Sequence, residues 1–166
     1  RLSRSLQQQR LAELQAEGAA LPPVECLYHL VIMPIVRERA GIIEPGLRSL
    51  LAQDYPPRRL LVVLAVEERS APEVRADAER LCAQYRSQFL DLQVAVHPDG
   101  VPGEARVKGA NASHAARLAA DWFTQHGIAH EEVIASCFDA DTVVSPNYFS
   151  CLTYHFLTEP NRERAS

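Results

Sequence analysis

The chain has 166 residues, and nearly half of them are hydrophobic, which suits one domain with a sizeable core. The formal net charge is −4, and no basic stripe is interleaved with aromatic residues, so the composition argues against a nucleic-acid-binding protein. No stretch of about 18 consecutive apolar residues occurs, and the sequence therefore predicts no membrane span in this chain.

The four cysteines are widely spaced along the chain, at Cys26, Cys82, Cys137 and Cys151. None of them forms a C-x-x-C pair, and no cluster of cysteine and histidine has the spacing of a zinc site. We expect Cys82, Cys137 and Cys151, which lie within apolar patterns, to be reduced, and we expect a cytoplasmic location. This expectation leaves open whether a longer parent protein carries membrane helices, with this domain facing the cytoplasm.

The first 17 residues have the pattern of a polar helix with one apolar stripe, formed by Leu2, Leu6, Leu11 and Leu14. Glycine and proline between positions 18 and 23 then interrupt the pattern. The sequence therefore predicts an accessory helix and linker over residues 1–23, followed by an α/β domain over residues 24–166.

Four segments are predicted to be strands, at Tyr28–Val36, Leu60–Val66, Leu90–Val96 and Glu132–Phe138. The first is predicted to be buried, and the second is again apolar without alternation. A helix is predicted after each strand, beginning at Glu44-Pro45, at a capping box from Ser70 to Glu73, near Ala110, and at Ser145-Pro146. This alternation predicts a Rossmann-like, mostly parallel sheet with helices on both faces. Ligands of such folds bind beyond the carboxyl ends of the strands.

Two aspartates, Asp139 and Asp141, follow the fourth predicted strand. Carboxylates at i and i+2 of an extended segment point to the same side, and such a pair suits Mg²⁺ or Mn²⁺ with phosphate oxygens completing the octahedron. The alternative is a loop in which these aspartates cap the next helix.

The other predicted strands also end in polar loops. A glycine-bearing segment, 103–111, places the only lysine, Lys108, near a helix start, although it lacks the pattern of a Walker A loop. Glu38 follows the first strand, and Glu67 with Glu68 follows the second, where each could accept hydrogen bonds from a base or a ribose. The alternatives are a flexible surface loop for the first segment and solvated acids for the glutamates.

Taken together, these loops resemble the nucleotide-sugar-binding half of the family-two inverting glycosyltransferases, a group that includes the cellulose, chitin and hyaluronan synthases. The resemblance covers about residues 30–157 and rests on four segments in matching order. They are Pro34 to Glu38 (similar to P-x-Y-N-E), Leu50 to Pro56 (similar to S-L-x-x-Q-x-Y-P), Lys108 to Asn111, and Asp139-Ala140-Asp141 (similar to the D-x-D metal motif).

The resemblance implies a glycosyltransferase-A fold that binds a nucleotide diphosphate sugar with a divalent metal and transfers the sugar, with inversion, to an acceptor hydroxyl. It implies that Asp139 and Asp141 hold the metal, with Asp141 as a direct ligand and Asp139 on the metal or the ribose. The residues that it places around the nucleotide are Pro34, Glu38, Glu67, Glu68, Lys108, Asn111 and Asp139.

The chain also departs from the family pattern. Val36 and Arg37 replace the usual Tyr-Asn, and Glu67-Glu68 stands where many members have Asp-Asp. No Q-x-x-R-W segment occurs, and no later acid is an obvious general base. We therefore expect the acceptor half and the base to lie outside this chain, and the chain by itself to be inactive.

Two other functions fit parts of the same pattern. A non-catalytic nucleotide-binding or regulatory module would use the same loops to bind the nucleotide and would need no acceptor site. Asp139-x-Asp141-x-Val143 after an apolar strand also resembles the first motif of haloacid-dehalogenase-type phosphatases, with Asp139 as nucleophile. That motif normally opens its domain, whereas few residues follow it here to supply the later lysine and acids.

Overall fold

The computed structural model of the chain describes residues 27–99 and 108–158, together with Gln9, Ala12, Glu13 and Ala16. For Lys108 it describes the backbone alone. Apart from those four positions, the accessory helix and linker predicted over residues 1–23 lie outside the described residues. The division of the chain at residue 23 therefore stays a prediction.

A parallel sheet lies at the centre of the described domain. Its four strands follow the spatial order β3-β2-β1-β4, and every neighbouring pair is parallel. They are β1 (Tyr28–Ile35), β2 (Leu60–Glu67), β3 (Asp91–His97) and β4 (Val133–Cys137). Every residue of β2 except the last is buried, as expected for a parallel strand covered on both faces. The predicted Rossmann-like α/β fold is confirmed.

Four helices connect or follow these strands: α1 (Ala40–Leu51), α2 (Pro72–Tyr85), α3 (Lys108–Gln125) and α4 (Tyr148–Thr158). Alternate residues of β1 divide the core between the two faces of the sheet. Val31 and Met33 pack with α1, α2 and Phe149 of α4, whereas Leu30 and Ile32 pack against α3. Among the described residues, no helix is both long and apolar enough to cross a membrane.

The start of α1 differs from the prediction. The helix begins at Ala40, ahead of Glu44-Pro45, and Pro45 lies inside it. The carboxylate of Asp77, on α2, accepts a hydrogen bond from the Ala40 backbone N–H at 3.0 Å. Because this cap comes from the neighbouring helix, no local sequence signal marks the first turn of α1.

The predicted capping box of α2 is also wrong. The N-cap residue is Ala71, which makes no side-chain cap bond, and Pro72 occupies the first helical position. The hydroxyl of Ser70 donates instead to the backbone carbonyl of Val36, at 3.3 Å. The serine therefore links the loops after β2 and β1, and α2 begins with the fixed backbone angle of the proline.

One histidine of β1 is buried among aromatic rings. His29 is fully buried, and its ring centroid lies 4.8 Å from those of both Tyr55 and Phe149. Its Nε2 atom shares a hydrogen bond of 2.9 Å with the Thr153 hydroxyl of α4, while Nδ1 has no partner among the described residues. Burial lowers the pKa of His29 from 6.5 to about 4.

We expect the free energy of unfolding to fall as the pH drops from about 6.5 to about 4. In this window the unfolded chain protonates the histidine and the folded chain does not, so the stabilisation is complete above pH 6.5 and is lost on acidification. The loss is at most about 3 kcal/mol. Denaturant unfolding at several pH values measures it.

The matched variant is His29→Phe combined with Thr153→Val, which removes both members of the buried polar pair. We expect a flatter pH dependence between about pH 6.5 and about pH 4.5 than in the wild type. Stability contributed by the carboxylates Glu44, Asp77 and Asp91 is lost at lower pH, because hydrogen bonds hold each pKa below its ordinary value. An unchanged slope in the double variant would contradict the assignment to His29.

Candidate functional site

The chain leaves the sheet immediately after β4. The last pairing of β4 with β1 joins Cys137 to Ile32, and the Phe138 N–H donates to the Ile32 carbonyl at 2.9 Å. Alternate residues of a strand direct their backbone groups toward the same neighbouring strand, so the next residue of β1 that could pair with β4 is Pro34. Proline has no N–H to donate to a continuing strand. The missing donor accounts for the departure of the chain from the sheet before Asp139.

A tight turn follows, and it separates the two aspartates from the residue between them. The Thr142 N–H donates to the Asp139 carbonyl at 2.9 Å, which closes the turn. Ala140 is buried against the core, whereas Asp139 and Asp141 are both exposed. The predicted extended segment is wrong, because the two aspartates lie in this turn. That both carboxylates face one ligand stays a prediction.

The two exposed aspartates can supply only some of the ligands that a divalent cation needs. Among the described residues, no three side chains of histidine, cysteine, aspartate or glutamate come together as a metal site. Two carboxylates leave most of an octahedron to other oxygens, an arrangement that fits Mg²⁺ or Mn²⁺ bound through a diphosphate and water. The donor set does not fit the closed tetrahedral site of a structural zinc ion.

The alternative role of Asp141 as a helix cap is not present. Asp141 makes no hydrogen bond or ion pair with any described residue. The first N–H of α4, that of Tyr148, bonds instead to the Ser145 carbonyl at 3.0 Å and to the Gln53 side-chain oxygen at 3.2 Å. The Asp141 carboxylate is therefore available to a ligand.

Glu38, predicted to contact the nucleotide, lies in the loop after β1. Its Oε2 atom accepts hydrogen bonds from the backbone N–H groups of Val36, at 2.7 Å, and Arg37, at 3.0 Å. This carboxylate holds the backbone of its own loop in shape. A direct contact between Glu38 and a nucleotide stays a prediction.

The two glutamates after β2 are engaged with their surroundings. Glu67, the last residue of the strand, forms an ion pair with Arg69. Glu68 donates its backbone N–H to the His97 carbonyl and accepts the Asp99 N–H at its Oε2 atom, each at 2.9 Å. Glu68 therefore joins the loops that follow β2 and β3. The predicted contact of the two glutamates with base or ribose stays a prediction.

Asn111 lies in the first turns of α3 and is 1% exposed. Its amide nitrogen donates to the Ala65 carbonyl of β2 at 2.7 Å, and its amide oxygen has no partner among the described residues. The side chain thus attaches the start of α3 to the carboxyl end of the sheet. The side chain of Lys108 lies outside the described residues, so the predicted nucleotide contacts of Lys108 and Asn111 stay predictions.

The sequence pattern did not reveal what the end of α1 does. The Gln53 amide donates to the Ser145 carbonyl at 2.9 Å, and the Asp54 N–H donates to the Pro146 carbonyl at 2.8 Å. Both residues belong to the segment Leu50 to Pro56, which served only as part of the family resemblance. The only sequence signal for these bonds is that two polar residues follow shortly after an amphipathic helix.

No protein-family model and no curated protein matches this chain. Solved structures do match it. One is S. aureus TarS, with a TM-score of 0.52 and 19% identity over 76% of this chain and 19% of that chain. A second is TarS 1–349 in complex with UDP, with the same TM-score of 0.52 and 19% identity, over 76% of this chain and 31% of that chain.

A third similar structure is the mannosyltransferase PcManGT from Pyrobaculum calidifontis in complex with GDP-Man and Mn²⁺. Its TM-score is 0.51, at 20% identity over 92% of this chain and 39% of that chain. The present chain thus spans well under half the length of these structures. At such low identity the similarity concerns the fold: the described domain has the α/β fold found in these glycosyltransferases.

Proposed function

We propose that this chain binds a nucleotide diphosphate sugar with Mg²⁺ or Mn²⁺ and forms the nucleotide-binding half of a glycosyltransferase. The observation that carries the proposal is the turn after β4, which buries Ala140 and exposes Asp139 and Asp141 beyond the sheet. The fold shared with structures that hold UDP, or GDP-Man with Mn²⁺, supports the same assignment.

The helix starts support one proposed place for the diphosphate. The helices of a parallel α/β domain begin at the carboxyl edge of the sheet, where their N–H groups attract phosphates. The first N–H groups of α1 and α4 already bond to the side chains of Asp77 and Gln53. Helix α2 begins with Pro72, which has no N–H. The start of α3, at Lys108, is therefore the place we propose for the phosphates, with Asp139 and Asp141 facing them across the metal.

The proposed reaction is an inverting transfer of the family-two type. An acceptor hydroxyl attacks the anomeric carbon opposite the diphosphate, the bond from that carbon to the leaving oxygen breaks, and a base outside the described residues takes the hydroxyl proton. A bound Mg²⁺ or Mn²⁺ would offset the negative charge that develops on the departing diphosphate. The residues of this chain bind and orient the donor, while the acceptor, the inversion and a cytoplasmic location remain parts of the proposal.

We expect Asp141→Asn to abolish the rise in melting temperature that Mn²⁺ with UDP or GDP produces in the wild type. Without ligand, the variant should melt at the same or a slightly higher temperature. Asp141 has no partner among the described residues to lose, and its repulsion of Asp139 decreases. A capping role would instead cost about 0.5–2 kcal/mol of stability. Asp121→Asn, an exposed position on α3, is the control and should keep the full response. A full response in Asp141→Asn would refute the metal assignment.

Lys108→Ala tests the place of the diphosphate. If the ammonium group forms a charge-assisted hydrogen bond with a phosphate, its removal should weaken nucleotide binding by roughly 1–3 kcal/mol, measured by calorimetry. Arg58→Ala serves as the control, because Arg58 bonds to the Phe89 carbonyl before β3, at the opposite edge of the sheet. Equal affinity of Lys108→Ala and the wild type would show that this lysine is solvated and does not contact the ligand.

Turnover separates the proposed enzyme from a non-catalytic binding module. The chain spans 19% to 39% of the glycosyltransferase structures that it resembles, so catalysis is to be measured on the longest natural protein that contains it. Metal-dependent transfer or hydrolysis of the nucleotide sugar supports the enzyme. Nucleotide binding without any turnover supports the module.

A further inference from the structure

The C-terminal half of α1 lies directly against the turn that carries the two aspartates. At Gly46, an added Cβ atom would lie 2.9 Å from the backbone oxygen of Thr142 and 3.1 Å from the Met33 methyl group. The Thr142 oxygen belongs to the backbone, so it could not move without moving the turn. The absence of a side chain at Gly46 thus permits this close approach.

Ser49, on the next turn of the same helix, bonds to the segment after the aspartates. Its hydroxyl donates to the Gly46 carbonyl at 2.7 Å and accepts the Val144 N–H at 3.1 Å. Because the hydroxyl both donates and accepts, it links the helix backbone to the loop backbone with defined geometry. The loop is therefore attached to α1 two residues beyond Thr142.

Gln53 makes the third attachment. Its amide nitrogen donates to the carbonyls of Ser49 and Ser145, both at 2.9 Å, and its amide oxygen accepts the Tyr148 N–H at 3.2 Å. Both donors and the oxygen of the amide are thus used, which restricts the side chain to one orientation. The bonds run from Gln53, two residues after the end of α1, to Ser49 of the helix, to the loop and to the first residue of α4.

We propose that Gly46, Ser49 and Gln53, here called the α1 clamp, are positioning residues for the candidate metal and nucleotide site. The clamp holds the backbone from Thr142 to Tyr148, so the exposed carboxylates of Asp139 and Asp141 project from a fixed turn. Mg²⁺ and Mn²⁺ sites demand accurately placed oxygen ligands, and displacement of groups that support such ligands typically weakens metal binding about 10- to 100-fold. This inference rests on the proposed function of the two aspartates.

Gly46→Ala with Gly41→Ala as control is the sharpest test. Both glycines lie on α1, but a Cβ atom at Gly41 would meet nothing within 4 Å. In the full chain, measured by calorimetry and by electron paramagnetic resonance of Mn²⁺, Gly46→Ala should weaken binding of Mn²⁺ with UDP or GDP by about tenfold or more. Gly41→Ala should bind as the wild type does and melt at the same or a higher temperature.

A second pair of variants separates positioning from general loss of stability. Gln53→Leu keeps the approximate volume of the side chain and removes its three hydrogen bonds to the backbone. Ala119→Gly lowers the melting temperature through α3, on the opposite face of the sheet. At a temperature where both are folded, we expect Gln53→Leu to lose Mn²⁺ and nucleotide affinity and Ala119→Gly to retain it.

Ser49 provides a conservative rescue and a measurement without ligand. Ser49→Ala should speed hydrogen exchange of the Val144 amide in the metal-free protein and weaken Mn²⁺ and nucleotide binding. Ser49→Thr retains the hydroxyl and should restore both properties. A purely structural role would change the exchange rate and the melting temperature without changing affinity.

The outcomes distinguish this inference from the proposed function. If the wild type binds Mn²⁺ with nucleotide and the clamp variants bind it equally well, the positioning role is refuted and the proposed function stands. If Asp141→Asn and the wild type both fail to bind, the proposed function is refuted, and the positioning role fails with it. Weaker binding in the clamp variants alone, with the controls unchanged, supports the positioning role.

Discussion

The close approach of two backbones, at Gly46 of α1 and Thr142 after β4, is the constraint on which the candidate site depends. Pro34 contributes to the same geometry, because β1 has no N–H there with which to continue the pairing with β4. The chain therefore leaves the sheet and turns at Asp139, and α1 receives the turn. A buried alanine and two exposed carboxylates follow from this path.

Helix α4, which follows the turn, is attached to the rest of the domain by two hydrogen bonds in addition to the contacts of Gly46 and Ser49. The first N–H of α4, that of Tyr148, bonds to Gln53. Five residues later in the same helix, the hydroxyl of Thr153 bonds to the buried ring of His29 on β1. A buried hydrogen bond between two side chains of different elements favours one arrangement of those elements. The segment that carries the aspartates is thus held between the central strand and α1, both of which belong to the buried core.

The acidic residues at the carboxyl edge divide into two groups with different roles. Glu38 and Glu68 accept backbone N–H groups and hold the loops after β1, β2 and β3 in shape. Asp141 makes no such bond with the described residues. Loops that are ordered before a ligand arrives lose less conformational entropy on binding, so the first group would contribute to affinity even without touching the nucleotide.

The sequence by itself determined the order of strands and helices, the parallel sheet, and the place of Asp139 and Asp141 after an apolar strand, because hydrophobic periodicity and turn residues act over short stretches of chain. Only the tertiary structure decided the Asp77 cap of α1, the bond from Ser70 to Val36, and the contact at Gly46. Each of these joins residues far apart in sequence, and a serine, an aspartate or a glycine has no local pattern that reveals a distant partner. The partners were fixed when the apolar faces of the helices packed on the sheet and brought those backbones together.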